Sequence, residues 1–154
     1  MISKLQVENY YILEASFKAN LDFNTEKKVE VSIGVSKSYI FHATDPKRFA
    51  VTMGVIIEPS EDTKKKNYPW EINVIAEGFF QFNTLLPSDN EVQKYITLNA
   101  MPILYSLIRG YIAQTTSLGP NGRFMMPTLD FRAMADTEES PTPPKRKKTK
   151  KLSE

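Results

Sequence analysis

The sequence predicts an α+β fold: a four-stranded antiparallel sheet with one long helix packed on it, followed by a disordered basic tail. Three observations lead there. Four segments in the first half alternate apolar and polar residues, one apolar run after residue 98 changes to a helical rhythm, and charge is segregated along the chain. The 154 residues carry a net charge of +2, but residues 140–154 hold six Lys/Arg against one acid, Glu154. That leaves 14 basic and 17 acidic residues in the rest, a balance of −3. A mildly acidic body therefore carries a basic tail.

In "LQVENYYILEASF", Leu5, Val7, Tyr11, Leu13, Ala15 and Phe17 recur at period two, the mark of a half-buried strand. "VEVSIGVSKSYIF" repeats the pattern with Val29, Val31, Ile33 and Val35. "RFAVTMGVIIEP" adds Phe49, Val51, Met53, Val55 and Ile57, and "WEINVIAEGFFQF" adds Ile72, Val74, Ala76, Phe80 and Phe82. The links between them are short and rich in Asn, Asp, Ser, Pro or Lys, too short for crossover helices, which favours antiparallel pairing.

After Pro87, "SDNEVQKYITL" reads as a short helical lead-in capped by Ser88 or Asp89. Asn99 then serves as the cap of the main helix, with Pro102 in its first turn, where the missing N–H does no harm. Leu104, Leu107, Ile108, Tyr111, Ile112 and Thr115 keep the i, i+3, i+4 rhythm. Gly119 suits a left-handed cap and Pro120 stops the helix, giving a length of roughly 28 Å. Residues 119–131 read as an apolar loop. From Asp136 the chain is polar, Pro-rich and basic, so residues 1–135 are expected to form the domain and 136–154 a disordered tail.

Several function classes find no support. Cysteine is absent, which excludes disulfides and thiolate zinc sites. His42 is the sole histidine and reads as a turn residue beside "ATDPK"; no metal site and no cofactor are expected. The carboxylates show no acid–base spacing, and "GPNG" lacks the Lys and helix of a phosphate loop, so no catalytic residues are assigned. "MISKLQVENYYILEASF" lacks the unbroken apolar run of a secretory signal, and no stretch approaches a membrane span. A cytoplasmic location is the expectation.

A helix is about 10 Å across, whereas four strands make a sheet roughly 15–20 Å wide. One helix cannot cover one face, and a second face carries Tyr10, Ile12, Ile40, Ile56, Ile75 and Phe79. Apolar area is worth about 25 cal/mol per Å² removed from water. The uncovered surface implies self-association, or a place kept for apolar ligands, or both.

Gly78-Phe79-Phe80 closing a long strand, then Asn99-Ala100, Pro102-Ile103-Leu104-Tyr105 and Arg109, then Gly119 and Leu129-Asp130-Phe131, resemble the SecB family of protein-export chaperones. The motifs span roughly residues 76–131, and the order of four strands then a helix extends the likeness to residue 4. The resemblance implies a SecB-like sheet and helix assembled as a dimer of dimers, with helices between the sheets. Leu104, Leu107, Ile108 and Tyr111 would then form the oligomer interface. It also implies ATP-independent binding of unfolded or nascent polypeptides in long apolar grooves, for translocation by a SecA-like motor. An acidic partner surface would use Glu14 and Glu71, although Lys18 and Asn73 stand where the family pattern is acidic. The family's second, C-terminal helix has only "RAMAD" to represent it here. Some relatives of this family serve as chaperones of antitoxins.

"GRFMMPTLDF" is the candidate client surface, with Phe124, Met125, Met126 and Leu129 beside Tyr105. Methionine adapts to many apolar shapes, which suits a promiscuous binder. The same residues could instead pack the loop onto the sheet. Arg109 is open to two readings, pairing with a carboxylate at an interface or reaching past its apolar neighbours to solvent. The run Lys145, Arg146, Lys147, Lys148 invites weak nucleic-acid or anionic-membrane contact, although no aromatics interleave it for base stacking. A nucleic-acid adaptor acting through this tail is the alternative to a holdase.

Overall fold

A computed structural model of the chain describes residues 1–60, 67–84 and 88–138. Four strands, β1 (Leu5–Ala19), β2 (Val31–Phe41), β3 (Arg48–Pro59) and β4 (Trp70–Phe82), form one antiparallel sheet in the order β1-β4-β3-β2. The helices follow: α1 (Asp89–Tyr95), a π-helical turn (Ile96–Ala100), α2 (Met101–Thr116) and α3 (Phe131–Glu138). The first three run without a break, making one long helix from Asp89 to Thr116. The expected α+β architecture is therefore the observed one. Most of the tail, including Lys145, Arg146, Lys147 and Lys148, lies outside the described residues.

The two central strands show why the sheet forms. In β4, Trp70, Ile72, Val74, Ala76, Gly78, Phe80 and Phe82 are buried and the residues that alternate with them are half-buried. In β3, Phe49, Val51, Met53, Val55 and Ile57 are buried on the same side. Onto that side α2 lays Met101, Leu104, Tyr105, Ile108 and Ile112, all buried. Phe82 bridges the end of the sheet to α1, its ring 5.0 Å from Phe49 and 5.7 Å from Tyr95. Burial of each such side chain stabilises by about 1.5–3 kcal/mol.

Four local features differ from the sequence reading. First, β1 does not keep one parity. Its register against β4 shifts between Val7 and Asn9 and again between Ile12 and Glu14. Each bulge inserts a residue and flips the faces. Tyr10 and Ile12, opposite Gly78 and Ala76, thus share the helix side with Val7 and Phe17, while Tyr11 moves to the helix-free side and meets Phe79 edge-on at 6.0 Å.

Second, the helix starts at Ser88, whose Oγ accepts from the Glu91 N–H (3.3 Å), and not at Asn99. Asn99 sits in the π turn, where its Nδ2 donates to the Tyr95 carbonyl (3.0 Å). The turn's i→i−5 bond, from the Met101 N–H to the Ile96 carbonyl, loosens the ladder just where Pro102 has no N–H to give. Proline is thereby carried inside a continuous helix.

Third, Gly119 is not left-handed; among the described residues Gly122 alone among glycines has positive φ, at 72°. Gly119 is small for another reason: a Cβ there would overlap the Trp70 ring. Fourth, α3 is a helix of two turns where only Arg132–Asp136 had been expected to remain, and it runs past the domain boundary read at residue 135. Phe131 and Ala135 are buried and Met134 is half-buried, an i, i+3, i+4 stripe that docks it.

Candidate functional site

The segment after α2 is tied down by specific bonds. The Thr116 Oγ1 accepts from the Phe124 N–H (2.8 Å), and the Tyr105 hydroxyl donates to the Pro127 carbonyl (2.7 Å). At the bend, the Trp70 Nε1 donates to the Gly122 carbonyl (3.2 Å), and the Asn121 Nδ2 donates to the carbonyls of Asn20 and Pro69, both at 2.7 Å. Residues 124–127 are thus strapped along the flank of α2 that carries Tyr105, Arg109 and Thr116. The Tyr105 ring also meets Phe131 edge-on at 5.8 Å, so α3 closes the end of the strap.

The five residues read as a client surface separate into two groups. Tyr105 is 3% exposed and Met126 is 1% exposed; both belong to the core and do not line an open surface. Burial pushes the Tyr105 phenol above its ordinary range, and the nearby Arg109 guanidinium offsets part of the rise. Met125 is 56% exposed, while Phe124 and Leu129 are half-buried against the core. Tyr105 and Met126 thus pack into the body, and the accessible part of the segment is Phe124, Met125 and Leu129.

The proposed interface residues also divide. Leu104 and Ile108 are fully buried against the chain's own sheet, because the i, i+4 stripe they belong to is the core stripe of α2. Leu107 and Tyr111 lie on its flank, half-buried, with Tyr111 edge-on to Phe17 of β1 at 5.8 Å.

Other open apolar features are ones the motif reading passed over. α2 packs chiefly on β3 and β4, and the outer strands are left partly bare on the same side. Val7 and Tyr10 of β1 are exposed there, and Ile33, Val35, Tyr39 and Phe41 of β2 are not fully covered. The signal for them was the width argument, one helix over four strands, followed residue by residue. The two edges differ: β1 carries the two bulges, whereas β2 pairs with β3 without interruption from Val31 to Phe41. A regular edge offers a row of unpaired backbone groups to an incoming strand. On the helix-free side, Ile40 is 70% exposed beside Phe79 and Ala50, at a depression of about 310 Å³ rimmed by Glu8, Arg48 and Glu77.

Glu14 and Glu71 both lie on the helix-free side. Glu14 is exposed opposite Ile75, whereas Glu71 is 4.0 Å from the Lys18 Nζ and accepts from the Tyr68 hydroxyl (3.1 Å). Lys18 thus puts a positive charge beside Glu71. His42 holds a turn, its Nδ1 accepting from the Asp45 N–H (3.1 Å) and the Thr44 N–H (3.3 Å). Among the described residues there is no group of three or more His, Cys, Asp or Glu that could hold a metal, and no helix is long and apolar enough to cross a membrane.

No protein-family model matches the chain, and no curated protein matches it significantly. Solved structures do. The SecB-like chaperone Rv1957 of Mycobacterium tuberculosis, in complex with a ChAD peptide from the antitoxin HigA1 (Rv1956), superposes with a TM-score of 0.61 at 13% identity, over 82% of this chain and 91% of that one. A protein of unknown function from Streptococcus agalactiae gives a TM-score of 0.48 at 12% identity, over 80% of this chain and 97% of that one. The fold is SecB-like.

Proposed function

We propose that this chain is an ATP-independent holdase that binds unfolded or nascent polypeptides in extended form, in the service of protein export. The observation that carries the reading is the partly uncovered apolar surface on the helix side of β1 and β2, left because α2 packs chiefly on the central strands. A client segment laid beside β2 would pair its backbone with the regular edge and place alternate side chains against Ile33, Val35, Tyr39 and Phe41. Phe124, Met125 and Leu129 offer a second, adaptable apolar contact. The SecB-like fold supports a chaperone role, and the bulged edge of β1, with Val7, Tyr10 and the flanking Tyr111, is the surface we assign to self-association into a dimer or a dimer of dimers.

The test is a refolding assay. Excess protein should slow the refolding, and suppress the aggregation, of a slow-folding client without ATP, because binding the unfolded state in preference to the native one shifts folding by mass action. No delay at any excess refutes the reading. A second reading, a dedicated chaperone of an antitoxin, is favoured by one observation: the SecB-like structure it resembles holds an antitoxin peptide. It uses the same surface and differs in binding one client strongly instead of many weakly. A SecA-like partner at Glu14 and Glu71 is the weaker element, since Lys18 already engages Glu71.

A further inference from the structure

Arg109 stands on α2 one turn beyond Tyr105 and two turns before Thr116, between the two bonds that strap residues 124–127 to the helix. The residue is half-buried, and its Nε is out of water with no hydrogen-bond partner. It forms no ion pair with any carboxylate of the described residues. A guanidinium cannot shed its charge to relieve such a position. The Tyr105 phenol feels its charge, but the hydroxyl is already committed to the Pro127 carbonyl. A partly desolvated cation attracts an anion more strongly than one surrounded by water, and its planar fork matches a carboxylate. The strapped segment that runs along this stretch of α2 carries Phe124 and the exposed Met125, apolar side chains that suit a peptide better than a bare ion.

We infer that Arg109 is a specificity-determining residue of the polypeptide site, selecting client segments in which an Asp or Glu lies next to apolar side chains. This rests on the polypeptide-binding reading above. The acidic side chain would bind the guanidinium while the flanking apolar residues cover Met125 and Phe124. The site thereby discriminates among unfolded chains by a single charge at a fixed place, and a sequence lacking an acid there leaves the guanidinium unpaired.

The experiment uses the full chain and two short fluorescein-labelled peptides of Leu, Phe and Ser that differ only in a central Glu or Gln. Fluorescence anisotropy gives both affinities at low ionic strength. Wild type should bind the Glu peptide about tenfold tighter, as a new charge-assisted hydrogen bond allows. Arg109→Met should bring the ratio of the two affinities to one, and Arg109→Lys should keep part of it. Equal affinities in wild type overturn the inference and leave the holdase reading standing. A ratio that survives in Arg109→Met overturns it also. Arg109→Met that keeps the ratio but lowers the solution mass assigns the carboxylate to a second copy of this chain and overturns it. Binding of neither peptide sinks this inference and the polypeptide-binding reading together, and circular dichroism of each variant shows that it is folded.

Discussion

Gly119→Ala isolates one contact whose energy follows from the structure. A methyl group at residue 119 would overlap Cη2 and Cζ2 of Trp70. Trp70 has little room to retreat: it is buried in the core, and its Nε1 is bonded to the Gly122 carbonyl. Overpacking of this kind costs about 1–3 kcal/mol. Gly119 does not have positive φ, so alanine there also removes some freedom from the unfolded chain, which stabilises by about 0.4–1 kcal/mol. The net expectation is a loss of about 1–2 kcal/mol, a fall of roughly 3–10 °C in Tm for a domain of this size. Urea unfolding followed by far-UV circular dichroism measures it, at fixed protomer concentration because self-association adds to apparent stability. The cycle is completed by Trp70→Phe and the double variant. Phenylalanine lacks the outer indole atoms that the methyl would strike, so the cost of Gly119→Ala should shrink by at least about 0.5 kcal/mol in that background. An unchanged cost in the two backgrounds, or a Gly119→Ala variant more stable than wild type, would refute the reasoning.

Two further outcomes are expected. The Tyr105 phenol is raised by burial, so its folded value lies above its unfolded one; its contribution is complete below about pH 10 and is lost as pH rises through the folded value. Thermal melts should therefore show an alkaline decline that is smaller in Tyr105→Phe, a variant less stable by about 1 kcal/mol at neutral pH for want of the bond to Pro127. Asn121→Ala removes both bonds to the carbonyls of Asn20 and Pro69 and should lower stability by about 1–3 kcal/mol, seen as a lower urea midpoint with an unchanged slope.

The two central strands and the regular edge β2 were legible in the sequence, and the bulged edge β1 was not. β3 and β4 are central, every second residue meets the helix, and the period-two pattern of Phe49 to Ile57 and Ile72 to Phe82 maps directly onto burial. β1 is an edge, so its backbone is free to bulge, and no composition marks Glu8 or Leu13 as the residues beside which the register shifts. Asn99 looks like a cap because Asn followed by Pro102 is typical of a helix start; the π turn that lets the helix continue is a tertiary solution, with Ile96, Thr97 and Ala100 buried. α3 escaped because eight residues give only one full apolar stripe, although Asp130, whose Oδ1 accepts from the Arg132 N–H (2.9 Å), was a readable start. At the candidate site, residue type fixed the chemistry of Phe124 to Met126 but not which of them faces outward, because that depends on where the strap bonds fall.

The amide that joins three segments also sets how the protein ages. Asn121 precedes Gly122, the dipeptide most prone to cyclise to a succinimide and hydrolyse to aspartate or isoaspartate. In the folded chain both Nδ2 hydrogens are engaged by carbonyls, and the Gly122 N–H, the nucleophile of that reaction, is held by the Gly119 carbonyl (3.3 Å). Once the chain opens, that protection is gone. A deamidated copy would return with an anionic oxygen facing the carbonyls of Asn20 and Pro69, so damage acquired while unfolded would hinder refolding.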